Sequence, residues 1–218
     1  MPLASRSPRK LTVPSLTGRI ITIAVGEEPC LFHIHEPLLR ARGSFFTLSR
    51  SRQGHLNMPD DCPKIGELYF QHLYTGKVLI DWTTSLEQVS KNECLPEYTT
   101  LAKLYVLGEK IGDVAFKNLI VRTVLRRIET RIGGHGYHPV GAAVDIIYKG
   151  TNPDSKMRKL VVDVTVWNGN ARWIDPELYD NNGDFLVDVL QAFMLKRGVS
   201  QGPAIAQLLA GGGYEEVV

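Results

Sequence analysis

The stretch CLFHIHEPLLRARGSFFTLSRSRQGHLNMPDDCPKIGELYFQHLYTG, Cys30 to Gly76, constrains the fold of this chain more than any other. From Pro63 onward, Ile65, Leu68, Tyr69, His72 and Leu73 recur at three- and four-residue steps, the spacing of one helical stripe, and Gly76 stands just past its end. Ahead of it, Cys30 to His35 reads as an apolar strand. Pro37 suits the first turn of a short helix running to Arg42, because a proline there gives up no hydrogen bond. His55-Leu56-Asn57-Met58 reads as a further strand ended by Pro59. A compact mixed helix and strand unit is what these pieces predict, with surplus apolar surface suited to binding another protein chain.

The preceding residues supply another strand. Ile20 to Val25 is a β-branched run, and Gly26-Glu27-Glu28-Pro29 turns it back into Cys30 to His35 as a hairpin. His33 and His35 fall on one face by the two-residue period of a strand. Such a pair can supply two metal ligands, but no carboxylate or cysteine stands at a supporting spacing, so packing or hydrogen bonding is the expected role.

Beyond Gly76, residues 81–96 are polar and predict a loop with at most one helical turn. Leu101, Leu104, Tyr105, Gly108 and Ile111 then follow the helical period, Gly112-Asp113 breaks and restarts it, and Phe116, Leu119, Ile120, Val124 and Ile128 continue on a second helix. The other face of that helix carries Lys117, Arg122, Arg126, Arg127 and Arg131, expected as a solvated surface because no aromatic residues interleave with them. The glycine-rich run Ile132 to Pro139 is expected to resist regular structure and to act as a hinge. Val140 to Tyr148 reads as helix, and Gly150 to Ser155 as a turn capping the next element. Leu160 to Trp167 fits strand or helix, and helix is the expectation. Asp180 to Asp184 is rejected as a calcium loop because its glycine comes early and Gln191 stands near the place of the bidentate glutamate. Asn182 and Asp184 instead cap a helix with Phe185, Leu186, Val189, Leu190 and Phe193 on one side and Lys196 and Arg197 in its last turn.

Composition bounds the function. With 25 Lys and Arg against 23 Asp and Glu, the formal charge of +2 gives no general affinity for polyanions, and nucleic acid is not an expected partner. Cys30, Cys62 and Cys94 are scattered without paired spacing, which fits reduced thiols and an expected location in the cytoplasm or nucleus. No stretch approaches the ~18 apolar residues of a membrane span. No nucleophile, base and orienting group can be assembled around the cysteines or Ser44, which lacks the Gly-x-Ser-x-Gly elbow, so catalysis is not expected and no cofactor is called for.

Several spaced pieces carry a resemblance: Phe32 and His35 followed by Leu38 and Leu39; Ala41-Arg42-Gly43-Ser44-Phe45-Phe46; Pro59-Asp60-Asp61-Cys62-Pro63; and Tyr69 with Leu73-Tyr74-Thr75-Gly76. In order and spacing they resemble a BTB/POZ domain. The likeness continues through Leu101 to Lys110, Lys117-Asn118, Ile147-Tyr148 and Arg158 to Asp163, a pattern similar to the BTB-domain proteins of filamentous fungi over about residues 18 to 195. It implies an α+β fold, a small three-stranded sheet flanked by a helical cluster, with a C-terminal helical extension. The implied division is a basic tail over 1–15, the BTB/POZ-like domain over 16–131, a hinge over 132–138, the helical extension over 139–198 and a frayed tail over 199–218. The implied function is protein association, as a homodimer or hetero-oligomer. A nuclear transcriptional co-regulator or a ubiquitin-ligase substrate adaptor is the alternative, and a small enzyme a more distant one.

The implied interface comprises Arg19, Ile20, His35, Glu36, Leu39, Phe45 and Phe46. Within it the family places an acid at the start of the first strand and a base after the histidine, forming a charged pocket between protomers. Here Arg19 and Glu36 stand near those positions with the signs exchanged. The apolar-x-Glu element of cullin-binding members is missing, since Thr47-Leu48-Ser49-Arg50 holds no acid, so a cullin-type scaffold is a possible partner whose motif is absent.

Overall fold

The computed structural model describes residues 16–42, 46, 54–89, 95–169 and 183–196. Both expected tails, Ser44 and Phe45, Thr47 to Arg50, Cys94, Asp180 to Asn182 and Arg197 lie outside them.

The β-branched run forms β1, Ile20–Val25, and pairs antiparallel with β2, Cys30–His35, in a register running from Ile20 opposite His35 to Val25 opposite Cys30. The turn between them is tight because Gly26 takes φ +93°, and a Cβ there would lie 2.9 Å from Pro63 Cγ. After α1, Glu36–Arg40, the chain crosses over and lays β3, His55–Met58, parallel to β1. Strand order is therefore β2-β1-β3, with β1 in the middle. One face buries Ile23, Val25, Ile34 and Met58. The helix α2, Pro63–Thr75, lies against that face, with Gly66 beside Val25 and Phe70 ringed against Phe32 at 5.0 Å. The expected stripe is buried at Ile65, Tyr69, His72 and Leu73, and Gly76 closes the helix at φ +68°. His72 packs on Phe116 at 4.8 Å, and burial together with the Arg42 charge holds its imidazole below the usual histidine range.

The loop over 81–96 holds one short 3₁₀ turn, Leu86–Gln88. Then come α3, Pro96–Ile111, and α4, Val114–Glu129. The Gly112-Asp113 break between them is a built junction. Gly112 takes φ +74°, and the fully buried Asp113 carboxylate accepts the Phe116 N–H at 2.9 Å and the Tyr69 hydroxyl at 3.1 Å. Burial and that carboxylate push the Tyr69 phenol far above its usual range. The residues Leu101, Leu104 and Ile111 of α3 are wholly buried and lie in the main apolar core.

The glycine-rich run does not resist regular structure. It makes a small hairpin of β4, Arg131–Ile132, and β5, His135–Gly136, in which Gly133 and Gly134 supply the two positive φ values, +56° and +86°, that a two-residue turn requires. Ile132 is buried, so the run is anchored in the core.

Three more helices follow: α5, Ala142–Gly150; α6, Lys156–Asn168; and α7, Gly183–Lys196. The helix α5 packs along α3 so closely that Gly150 lies directly on the Val106 side chain. Ser155 caps α6 by accepting the Met157 N–H at 3.3 Å, and Leu160 to Trp167 is helical as expected. Arg158 links the two helices, donating to the carbonyls of Tyr148 and Thr151 while its guanidinium lies 4.5 Å from the Tyr148 ring. On α7, Phe185 is buried against Tyr148 and Leu186 and Val189 are half-buried, but Leu190 and Phe193, expected on the same side, are 54% and 51% exposed. The stripe was placed too wide: the contact with α5 and α6 covers only a narrow line of the helix. No described helix is long and apolar enough to cross a membrane.

Candidate interaction surfaces

By register, one face of the sheet carries Ile20, Thr22 and Ala24 of β1, Leu31, His33 and His35 of β2, and His55 and Asn57 of β3. Among the described residues no helix covers it, and Ile20 and Leu31 are 53% and 61% exposed. The two strand histidines are held by hydroxyls: His33 Nδ1 lies 3.1 Å from Thr22 Oγ1, and His35 Nδ1 lies 2.9 Å from the Tyr74 hydroxyl, which also accepts the His35 backbone N–H. No group of three or more His, Cys, Asp and Glu suited to a metal ion occurs among the described residues.

The residues implied as an interface by resemblance divide into two sets. Arg19, Ile20, His35 and Glu36 gather at one end of the hairpin, where the Glu36 N–H donates to the Arg19 carbonyl at 2.9 Å. Their side chains do not close a pair within the chain. Arg19 lies over Gly54, and Glu36 turns to Arg40, one helical turn on, at 2.6 Å. Leu39 and Phe46 belong to the inner side. Leu39 is buried and Phe46 stacks on Tyr69, while Phe45 lies outside the described residues.

A second feature is a groove of about 610 Å³ between the end of α2, the segment 77–84 and the last turns of α4. Arg127 lies at its base and corrects the expectation of a solvated basic face, since the side chain is only 5% exposed. Its Nε and Nη2 reach Glu97 Oε1 at 2.8 Å each, and Nη2 also donates to the Thr83 carbonyl at 2.9 Å. Glu97, fully buried, accepts the Thr83 hydroxyl at 2.8 Å and the Thr83 N–H at 3.3 Å. Each charge thus has polar partners in a dry setting, the condition under which buried charges persist. The sequence held a signal for this. Phe116, Ile120, Val124 and Arg127 continue one buried line at steps of four, four and three. Lys117 is paired too, with Glu109 at 2.5 Å, whereas Arg122, Arg126 and Arg131 are exposed.

The third surface is the outer side of α7, where Val187, Leu190, Phe193, Met194 and Leu195 are all at least half exposed. Trp167 of α6, 70% exposed, lies beside it with Lys196 Nζ 4.9 Å from its ring. The described cysteines, Cys30 and Cys62, are free and exposed. No protein-family model matches the chain, and no curated protein matches it.

Proposed function

We propose that the chain is a BTB/POZ-type interaction module that works by protein association, self-association first, through the open face of its sheet. The observation that carries this reading is the exposure of Ile20 and Leu31 on a sheet face that no described helix covers. Fully burying an exposed side chain of this size contributes about 1.5 to 3 kcal/mol, and Ile20 and Leu31 have half or more of that burial still to gain against a partner. The order β2-β1-β3, with β3 parallel to β1 and α2 on the inner face, supports the same family reading, as does the clustering of Arg19, His35 and Glu36 beside Ile20. Adaptor roles, in transcriptional co-regulation or in a ubiquitin ligase, are extensions of this reading in which the partner is another protein.

Sedimentation of the purified chain tests it. The expected particle contains two 24.3 kDa chains, and Ile20→Asp with Leu31→Asp returns it to one. Both positions are exposed, so the fold should survive, as circular dichroism will check. A wild-type chain that stays monomeric at high concentration, or a dimer indifferent to the two aspartates, would reject the proposed face.

A further inference from the structure

We propose that the groove between α2, the segment 77–84 and α4 is a second site, one that binds an extended acidic segment of a partner protein. Its lining holds Lys77, Arg126, Arg127 and Arg131 and no carboxylate; Asp81 belongs to the segment 77–84 but is not among the lining residues. Arg127 is neutralised from behind by Glu97, which leaves three exposed cations to face an incoming chain. The uncompensated charge is therefore local, in a protein whose overall balance is only +2. Charge complementarity of this kind selects acidic partners and speeds their arrival.

The site is built as well as charged. Arg127, Glu97 and Thr83 lock α3, α4 and the segment 77–84 together through buried hydrogen bonds, so the base of the groove is pre-organised. Trp82 and Leu119 add apolar surface to the same lining. The form of the occupant follows from the backbone. Residues 78–82 belong to no helix or sheet, and none of their peptide groups takes part in the backbone hydrogen bonds of the described residues. A strand laid beside them can pair with those groups and place alternate side chains toward the arginines, the mode of recognition by strand addition. A nucleic acid finds fewer partners here, since Trp82 is the one aromatic residue of the lining and single strands bind by successive stacking.

Fluorescence anisotropy on the full chain tests this with a labelled octapeptide alternating Glu and Val, against a matched peptide alternating Lys and Val. Saturable binding of the acidic peptide alone is expected, weakening as salt is added. The pair Arg126→Glu and Arg131→Glu should lower the affinity by about tenfold or more, as loss of charge pairing at a groove predicts. The substitution Arg122→Glu, exposed on α4 but outside the lining, should change it little. The proposal is overturned if the acidic peptide does not bind, if the paired substitutions leave binding intact, or if a single-stranded oligonucleotide displaces the peptide at equal concentration. None of these readouts depends on self-association through the sheet face, so the two proposals fail separately.

Discussion

Of the ion pairs that join neighbouring helices among the described residues, two stand in opposite surroundings. Arg127 of α4 meets Glu97 of α3 with side chains 5% and 0% exposed, whereas Lys196 of α7 meets Asp163 of α6 with 30% and 32% exposed. The distances are similar, 2.8 Å and 2.6 Å, so geometry does not separate them. Solvent does. In the dry pair each charge is tolerable only because the other is present and Thr83 satisfies what remains. In the wet pair water screens the attraction, and α7 is held mainly by Phe185 and by the Tyr148 hydroxyl donated to Asp188 at 2.7 Å.

The comparison breaks if the dry pair proves dispensable. Glu97→Ala leaves a guanidinium buried without its partner and should cost about 3 to 5 kcal/mol, seen as a lower urea midpoint. Replacing both partners, Glu97→Leu with Arg127→Met, should recover most of that loss; a single variant as stable as the native chain would refute the assignment. The next largest effect tests what holds α7. Phe185→Ala should cost about 3 kcal/mol, but locally, so that amide exchange quickens across 183–196 while the amides of α3 keep their protection. Equal loss of protection in both helices would show that α7 is not the weaker attachment.

The smallest effect belongs to the wet pair. Hydrogen bonds from Lys196 and Lys159 hold the Asp163 carboxyl below its usual range. Its folded pKa lies under the unfolded one, so the unfolded chain takes up the proton first as pH falls. The contribution is therefore complete above about pH 4 and fades as pH drops through the folded value. Asp163→Asn should remove that part of the acid slope at a cost below about 1 kcal/mol, read from denaturant midpoints at neutral and acid pH. A cost as large as that of Glu97→Ala would erase the distinction between the two pairs.

What the sequence disclosed follows from what local pattern can carry. The hairpin of Ile20–Val25 with Cys30–His35, the α2 stripe and the Gly112-Asp113 junction all rest on residues within a few positions of each other, and each stands where it was expected. Periodicity gives the direction of an apolar stripe but not the width of what will cover it, and for that reason Leu190 and Phe193 were misplaced on α7. The basic residues of α4 were read as one solvated face because the partner of Arg127 stands thirty positions earlier, at Glu97. The groove escaped notice for the same reason. Lys77 and Trp82 meet Arg126 and Arg131 only after α3 and α4 have folded back. At 132–138 the density of glycine was legible, but two adjacent positive φ values close a hairpin turn where no regular element was expected.

The contact of Gly150 with Val106 has a consequence for how the chain can change over time. Where α5 crosses α3 there is no room even for a methyl group, so Gly150→Ala must push the helices apart or displace the valine. In a saturation screen that position should reject size and ignore polarity. A lineage could lengthen or recolour the surfaces around this contact freely, yet a single added carbon at Gly150 would loosen the seating of α5 on α3.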